Sequence, residues 1–225
     1  TYDLGGAVAR HGLHAGIVQY FSGKLGRRVT PRKPSDAKKK HILEAVQRVL
    51  AREGFGGLTI SLVAKEADVS RGLLHYYFKD RDEMLALASR QSIDRACALI
   101  RHMLVSTNPG DDVAGILING FRIMMRAEPD FFSVFLEGWA VVGSNTTIYD
   151  EYRDLYQEIR SVKSRELEKC KERGVINPKA PLDAIATMST AIMDGIGLQL
   201  MTEPELIDED DVWESARDAL AACLA

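Results

Sequence analysis

The stretch Thr59–Leu85, T-I-S-L-V-A-K-E-A-D-V-S-R-G-L-L-H-Y-Y-F-K-D-R-D-E-M-L, constrains the fold of this chain more than any other. A short apolar-patterned segment ends at Ala67-Asp68-Val69, which reads as a three-residue turn. A second segment begins at Ser70, whose hydroxyl suits a helix N-cap. It carries Arg71, Gly72, His75, Tyr76 and Tyr77 over one to two turns, and Lys79 and Arg81 follow at once. This is the pattern of a helix-turn-helix whose second helix enters a DNA major groove.

The residue types suit that geometry. Ile60, Val63, Ala64 and Ala67 can pack the first helix onto a core, and the small Ala64 and Ala67 let a crossing helix come close. Asp68 falls where the turn calls for a left-handed residue, a conformation Asp tolerates less well than Gly. Gly72 costs helix stability but lets a backbone approach DNA. Arg71 can reach a guanine edge or a phosphate, and His75 and Tyr76 can donate to phosphate oxygens. The plainer alternative is a helical hairpin whose polar residues face water.

With these residues in place the chain resembles the tetracycline-repressor (TetR) family of bacterial transcription regulators, whose pattern is T-x-x-x-I-A-x-x-A-G-V-S-x-G-x-L-Y-x-[HY]-F-x-x-K-x-x-L-L. It matches at Thr59, Val63, Ala64, Ala67, Val69, Ser70, Gly72, Leu74, Tyr77, Phe78, Met84 and Leu85. It departs at Asp68, where the family has a turn glycine, and at His75, where the family has a phosphate-contacting tyrosine. It departs again at Arg81, which keeps the charge of a phosphate-contacting lysine. The match is specific from about Asp36 to Leu85. The resemblance implies an all-α fold: a three-helix DNA-binding head with the helix-turn-helix, and a six-helix body for ligand binding and dimerisation. The DNA-binding set it implies is Thr59, Ser61, Ser70, Arg71, Gly72, Leu73, His75, Tyr76, Tyr77, Lys79 and Arg81.

Charge is divided in the same sense. Residues 1–80 carry 14 Lys and Arg against 7 Asp and Glu, a net of +7, and residues 81–225 carry 15 against 25, a net of −10. A basic end on an acidic remainder fits docking of DNA by one end only, although a chance asymmetry of solvated faces would look alike. Cys97, Cys170 and Cys223 lack zinc-site spacing and read as reduced thiols of a cytoplasmic protein. No apolar run approaches the ~20 residues of a membrane helix, so no membrane partner is expected.

Residues 1–34 mix apolar side chains with glycines and end in a basic run broken by Pro31 and Pro34. They read as a solvated arm or as an arm that tracks DNA. Helical periodicity begins at Asp36, with Ile42, Val46, Val49 and Leu50 on one face, and Gly54 and Gly56 stop it around a core plug, Phe55. Asp80 and Glu83 form a D-x-x-E cap for a long helix reaching about Ser106. Further helices are expected over 112–127, from Pro129, over 148–173, over 182–201, and from the acidic 208–211 cluster to Leu224. The domains expected are an arm over 1–34, a DNA-binding head over 35–82 and a body over 83–225.

The second half has no catalytic constellation, no metal-ligand spacing and no phosphate loop. An enzyme is not expected, nor is a cofactor. Pairs such as Glu166–Lys169 and Glu168–Lys171 read as solvated. What stands out is soft and aromatic apolar material, either plain core or the lining of a ligand cavity. The candidate ligand-binding set is Met103, Phe121, Met125, Phe132, Phe135, Trp139, Tyr152, Tyr156, Met188 and Asp194. Glu137 and Asp194 lie in or beside it, either as satisfied carboxylates or as partners for a cationic ligand. The run Ala191–Leu200, A-I-M-D-G-I-G-L-Q-L, is similar to the matching helix of the choline-responsive BetI branch of the family. Small residues crowd 182–201 and 212–224, which suits close helix packing within the chain or against a second copy. The function implied is a dimeric regulator that binds double-stranded operator DNA, most simply as a repressor released by a small-molecule effector. The alternative is a helical small-molecule-binding or interaction protein that does not read DNA.

Overall fold

The computed structural model describes residues 34–127, 129–205 and 207–225, and the candidate arm lies outside them except for Pro34. Among the described residues there are nine helices and no strands: α1 Pro34–Gly57, α2 Ile60–Glu66, α3 Arg71–Tyr77, α4 Arg81–Leu104, α5 Val113–Ala127, α6 Pro129–Val142, α7 Thr146–Glu172, α8 Leu182–Thr202 and α9 Glu209–Leu224. The chain forms two compact units. One holds residues 34–95 and 129–157, and the other holds 96–127 and 158–225, so the division falls inside α4 and inside α7.

In the first unit α1 is the central element. Its predicted apolar stripe is buried throughout, with Ile42, Val46, Val49 and Leu50 at most 1 % exposed. The expected glycine stop is a break at Gly54, where φ is 68° and ψ 176° before helical turns resume to Gly57. Only glycine adopts that backbone conformation without strain. The break turns Phe55 into the core, as expected of a plug. Helix α6 packs along α1. Tyr152 of α7 is also buried here: its ring stacks on Phe135 with centroids 5.3 Å apart, and its hydroxyl donates to the Phe135 carbonyl at 3.0 Å and pairs with Ser89 Oγ at 3.1 Å. Burial pushes the Tyr152 phenol upward. Gly138 leaves room for that phenol, because a Cβ there would run into the Tyr152 ring. Helix α7 starts two residues before the periodicity predicts. Asn145 explains the difference: its Oδ1 accepts the Ile148 N–H at 3.1 Å while its amide donates to Asp82 at 2.7 Å.

In the second unit α9 packs against both α5 and α8. Trp213 is 1 % exposed, with its ring 5.8 Å from Phe121. Arg122 of α5 reaches Glu209 and Asp210, so the acidic start of α9 is held to α5 by ion pairs, and farther along α9 Arg217 meets Asp112, just before α5, at 2.6 Å. Asp208 caps α9, accepting from the Asp210 and Asp211 N–H groups. Glu166 departs from the expected solvated pairing: its bond with Lys169 is present at 2.8 Å, but its side chain is only 6 % exposed. Helix α8 corrects a further expectation. Its 21 residues are long and apolar enough to cross a membrane by length and composition, although only a third of that stretch is buried within the chain. Ala, Gly, Ser and Thr disguise it in the sequence, since none is strongly hydrophobic alone.

Lys163 of α7 is 3 % exposed. Its ammonium donates to Ser189 Oγ at 3.1 Å and Thr190 Oγ1 at 2.8 Å, and both hydroxyls donate onward to the Ala186 carbonyl at 2.9 Å. Burial pulls this amine down to about 8, against the nearby charge of Asp194, which favours the ammonium. The unfolded chain keeps the proton up to about 10.5, so between those values the unfolded state binds more protons and stability rises with pH. Below pH 8 the full cost of the buried charge stands, on the order of 3 kcal/mol. Lys163→Met is therefore expected to be more stable than the parent at pH 7, with the gap closing by pH 10. Urea unfolding of both proteins at the two pH values checks this, and parallel stability curves would refute it.

Candidate nucleic-acid interface

Helices α2 and α3 are each seven residues long, and both are fixed at their N-termini by a side chain. Thr59 Oγ1 accepts the Leu62 N–H at 3.2 Å, and Ser70 Oγ accepts the Leu73 N–H at 3.2 Å. Each hydroxyl keeps its own proton to donate. Between the helices, the Val69 N–H reaches the Ala64 carbonyl at 2.9 Å and the Asp68 N–H reaches Lys65 at 3.3 Å. That bond pair defines a Schellman C-cap. It places Asp68 at φ 50°, the only non-glycine residue with positive φ among the described residues. The left-handed turn read from the sequence is thus present, with Asp where glycine would be unstrained. His41 Nε2 donates to the Ala67 carbonyl at 3.0 Å, tying α1 to the same turn. Arg48 and Arg52 both bond Glu66, and their hydrogen bonds hold its carboxyl below the usual range.

The pair of helices then divides into two faces. Val63, Ala64, Ala67, Leu74 and Phe78 are buried. Thr59, Ser61, Ser70, Arg71, Gly72, His75, Tyr76, Lys79 and Arg81 are exposed, and Leu73 and Tyr77 are half-buried. Tyr76 is 79 % exposed, with its ring edge-on to Tyr77 at 5.1 Å. Gly72 is open: a Cβ there would meet only Ser70 Oγ, at 3.9 Å. Nothing in the chain itself calls for glycine at that helical position, where it costs about 1 kcal/mol relative to Ala.

Beyond α3 the Asp80–Glu83 cap is present in a shifted form. Asp80 accepts the Glu83 N–H at 2.9 Å, while Glu83 reaches past Asp80 to the Lys79 N–H at 2.6 Å. Arg81 lies over the Phe55 ring at 4.6 Å, with a guanidinium nitrogen 3.8 Å from the Asp82 carboxylate.

The candidate ligand residues divide between the two units. In the first, Phe132, Phe135 and Tyr152 are buried, while Trp139 is 50 % exposed and donates its indole N–H to Tyr156 at 2.9 Å. Phe135 also meets Tyr156 edge-on at 5.7 Å. In the second, Met103 is buried, Phe121, Met125 and Asp194 are half-buried, and Met188 is exposed. Of the two carboxylates left open above, Glu137 is a satisfied one: its Oε2 accepts the Phe55 N–H at 2.6 Å. Glu137, Asn145 and Lys163 were not legible as contact residues, because each acts on a group distant in sequence. The only available signal was a charged or amide side chain in an apolar stretch.

Short capped helices with an exposed basic and aromatic face and a buried reverse define a helix-turn-helix DNA-binding protein. The model of the tetR family of bacterial regulatory proteins matches residues 42–88, and that of the C-terminal region of BetI-type transcriptional repressors matches residues 125–225. The transcriptional regulator PksA of Bacillus subtilis is 25 % identical over 179 residues, spanning 79 % of this chain and 85 % of that protein. The regulator BetI of Vibrio campbellii is 24 % identical over 180 residues, spanning 78 % and 86 %. A candidate transcriptional regulator from Saccharomonospora viridis, solved in complex with choline, superimposes with a TM-score of 0.68 at 25 % identity, over 82 % of this chain and 95 % of that one. The chain belongs to the TetR family and has a BetI-like C-terminal region. It is accordingly a DNA-binding transcription regulator and not an enzyme.

The strained corner offers a direct test of the turn. Asp68→Gly removes the Cβ penalty and is expected to leave stability unchanged or raise it by up to about 1 kcal/mol, whereas Asp68→Val should lower it by about 1–2 kcal/mol. Urea midpoints in the opposite order would show that the turn is not left-handed in solution.

Proposed function

We propose that this regulator is a homodimeric repressor whose α3 reads an operator and which a small-molecule effector releases. The observation that carries the DNA reading is the exposed face of α3, where open Gly72 is flanked by Arg71, His75 and Tyr76. Arg71 is the base-reading candidate, and Gly72 lets the backbone approach. Thr59, Ser61, Ser70, Leu73, His75, Tyr76, Tyr77, Lys79 and Arg81 make the surrounding contacts, with Lys79 and Arg81 on phosphates. Residues 35–82 act as the DNA-binding head and 83–225 as the effector-binding and dimerising body of a cytoplasmic protein.

For the effector, Trp139 and Tyr156 present aromatic surface beside Phe135, which favours an apolar or aromatic-compatible molecule. The choline of the Saccharomonospora viridis regulator is of a kind that π faces hold, and it is a natural first probe. Release follows by linkage, since an effector preferring the body state with the heads wrongly spaced weakens DNA binding by its differential affinity.

For the dimer, α8 and α9 carry a groove of about 560 Å³ whose lining includes Ala191, Ile192, Gly195, Ile196, Val212 and Ala219. Met188, Leu198 and Met201 are also exposed on α8. An apolar face of small residues suits a second copy of the same two helices. Gly195 tests it cleanly, because nothing lies within 4 Å of a Cβ built there. Gly195→Trp should fold as a protomer yet sediment as a monomer at a concentration where the parent is a dimer. A dimeric variant, or a monomeric parent, would remove α8 from the interface.

DNA docking is tested by salt titration of a gel shift, using DNA flanking the gene. Affinity should fall steeply with salt, and Lys79→Ala and Arg81→Ala should each flatten the slope by about one per subunit. Arg71→Ala should cost about 1–3 kcal/mol of specific binding. Salt-independent affinity would favour a helical binding protein that does not read DNA.

A further inference from the structure

We propose that Glu137, on α6, is a positioning residue for DNA binding: by holding the Phe55 amide it fixes the aromatic surface on which Arg81 is presented to a phosphate. The geometry is local to the first unit. Oε2 of Glu137 accepts the Phe55 N–H at 2.6 Å. Both carboxylate oxygens lie 3.3 Å from the position a Gly54 Cβ would take, so the whole group faces the break in α1. The break at Gly54 is the one place in α1 where the backbone leaves helical geometry, and Phe55 is the next residue along the chain. The carboxylate thus anchors the amide of the first residue after the break from a helix distant in the sequence.

The amide so held belongs to the residue whose ring supports Arg81. Phe55 is 7 % exposed, and the Arg81 guanidinium sits 4.6 Å above its centroid. A guanidinium on an aromatic face keeps its N–H edge free for a planar anion, which is how Arg recognises phosphate. An unsupported Arg at the start of α4 would lose more side-chain freedom on meeting DNA. Asp82, 3.8 Å from the same guanidinium, competes for it, so the ring also decides which anion the cation faces. Glu137 touches neither DNA nor Arg81 in this scheme and acts through Phe55.

The inference rests on the phosphate contact assigned to Arg81, and one set of gel shifts across a salt series separates the two. Arg81→Ala should flatten the salt slope by about one per subunit and weaken binding about tenfold. Glu137→Ala should do the same, and the double variant should bind no more weakly than Arg81→Ala alone. Glu137→Gln keeps an amide oxygen able to accept the Phe55 N–H and should restore both affinity and slope. Phe55→Leu keeps the backbone amide and the apolar plug but removes the ring. It should flatten the slope as well, and it stands in for Glu137→Ala if that variant does not fold. A parental slope in Arg81→Ala would overturn the Arg81 contact and the relay with it. A flattened slope in Arg81→Ala with parental slopes in Glu137→Ala and Phe55→Leu, or losses that add in full in the double variant, would overturn the relay alone.

Discussion

Helices of seven residues do not persist in water unaided, since an isolated helix needs roughly twice that length even to be marginal. Helices α2 and α3 exist because Val63, Ala64, Leu74 and Phe78 are removed from water together with the apolar stripe of α1. That burial is the condition on which the rest of the head depends. The caps at Thr59 and Ser70, the left-handed corner at Asp68 and the His41 bond to Ala67 refine the crossing of helices already held by apolar contact. The exposed polar and charged face of α2 and α3 is thus positioned by residues buried behind it.

Long apolar periodicities and short-range capping chemistry were the legible part of this fold. The stripe of α1, the turn at Asp68, the Ser70 cap and the plug at Phe55 could be read from neighbours in the sequence, because the groups involved lie within a few residues of each other. Contacts that join distant segments could not be read. Asn145 caps α7 and reaches Asp82, Glu137 meets Phe55, and Lys163 meets Ser189 and Thr190. Helix α8 was legible as a helix but not as an apolar span, because its Leu, Ile and Met side chains are interspersed with small residues rather than gathered in one run. The exposed face of α3 could be read residue by residue, since helical spacing alone decides which side chains share a face with buried Leu74.

Two polar groups in the interior show different solutions to the same penalty. The Tyr152 hydroxyl is met by a carbonyl and a serine and stays neutral. The Lys163 amine is met by two hydroxyls that share one carbonyl, and burial brings its proton affinity close to the neutral range. Buried phenols lose little when they are hydrogen-bonded, whereas a buried ammonium keeps most of its desolvation penalty.

The break in α1 also bears on how this head can change over evolutionary time. Gly54 occupies a backbone region that strains other residues, and the Glu137 carboxylate lies 3.3 Å from where their Cβ would sit. A newcomer at 54 would keep the backbone strain whatever stands at 137, and the carboxylate would also have to give by a few tenths of an ångström. Loss of Glu137 relieves only the second of these, and it leaves the Phe55 amide without that acceptor. The two positions, 83 residues apart in the chain, are therefore coupled through contact, while the backbone by itself keeps glycine at 54.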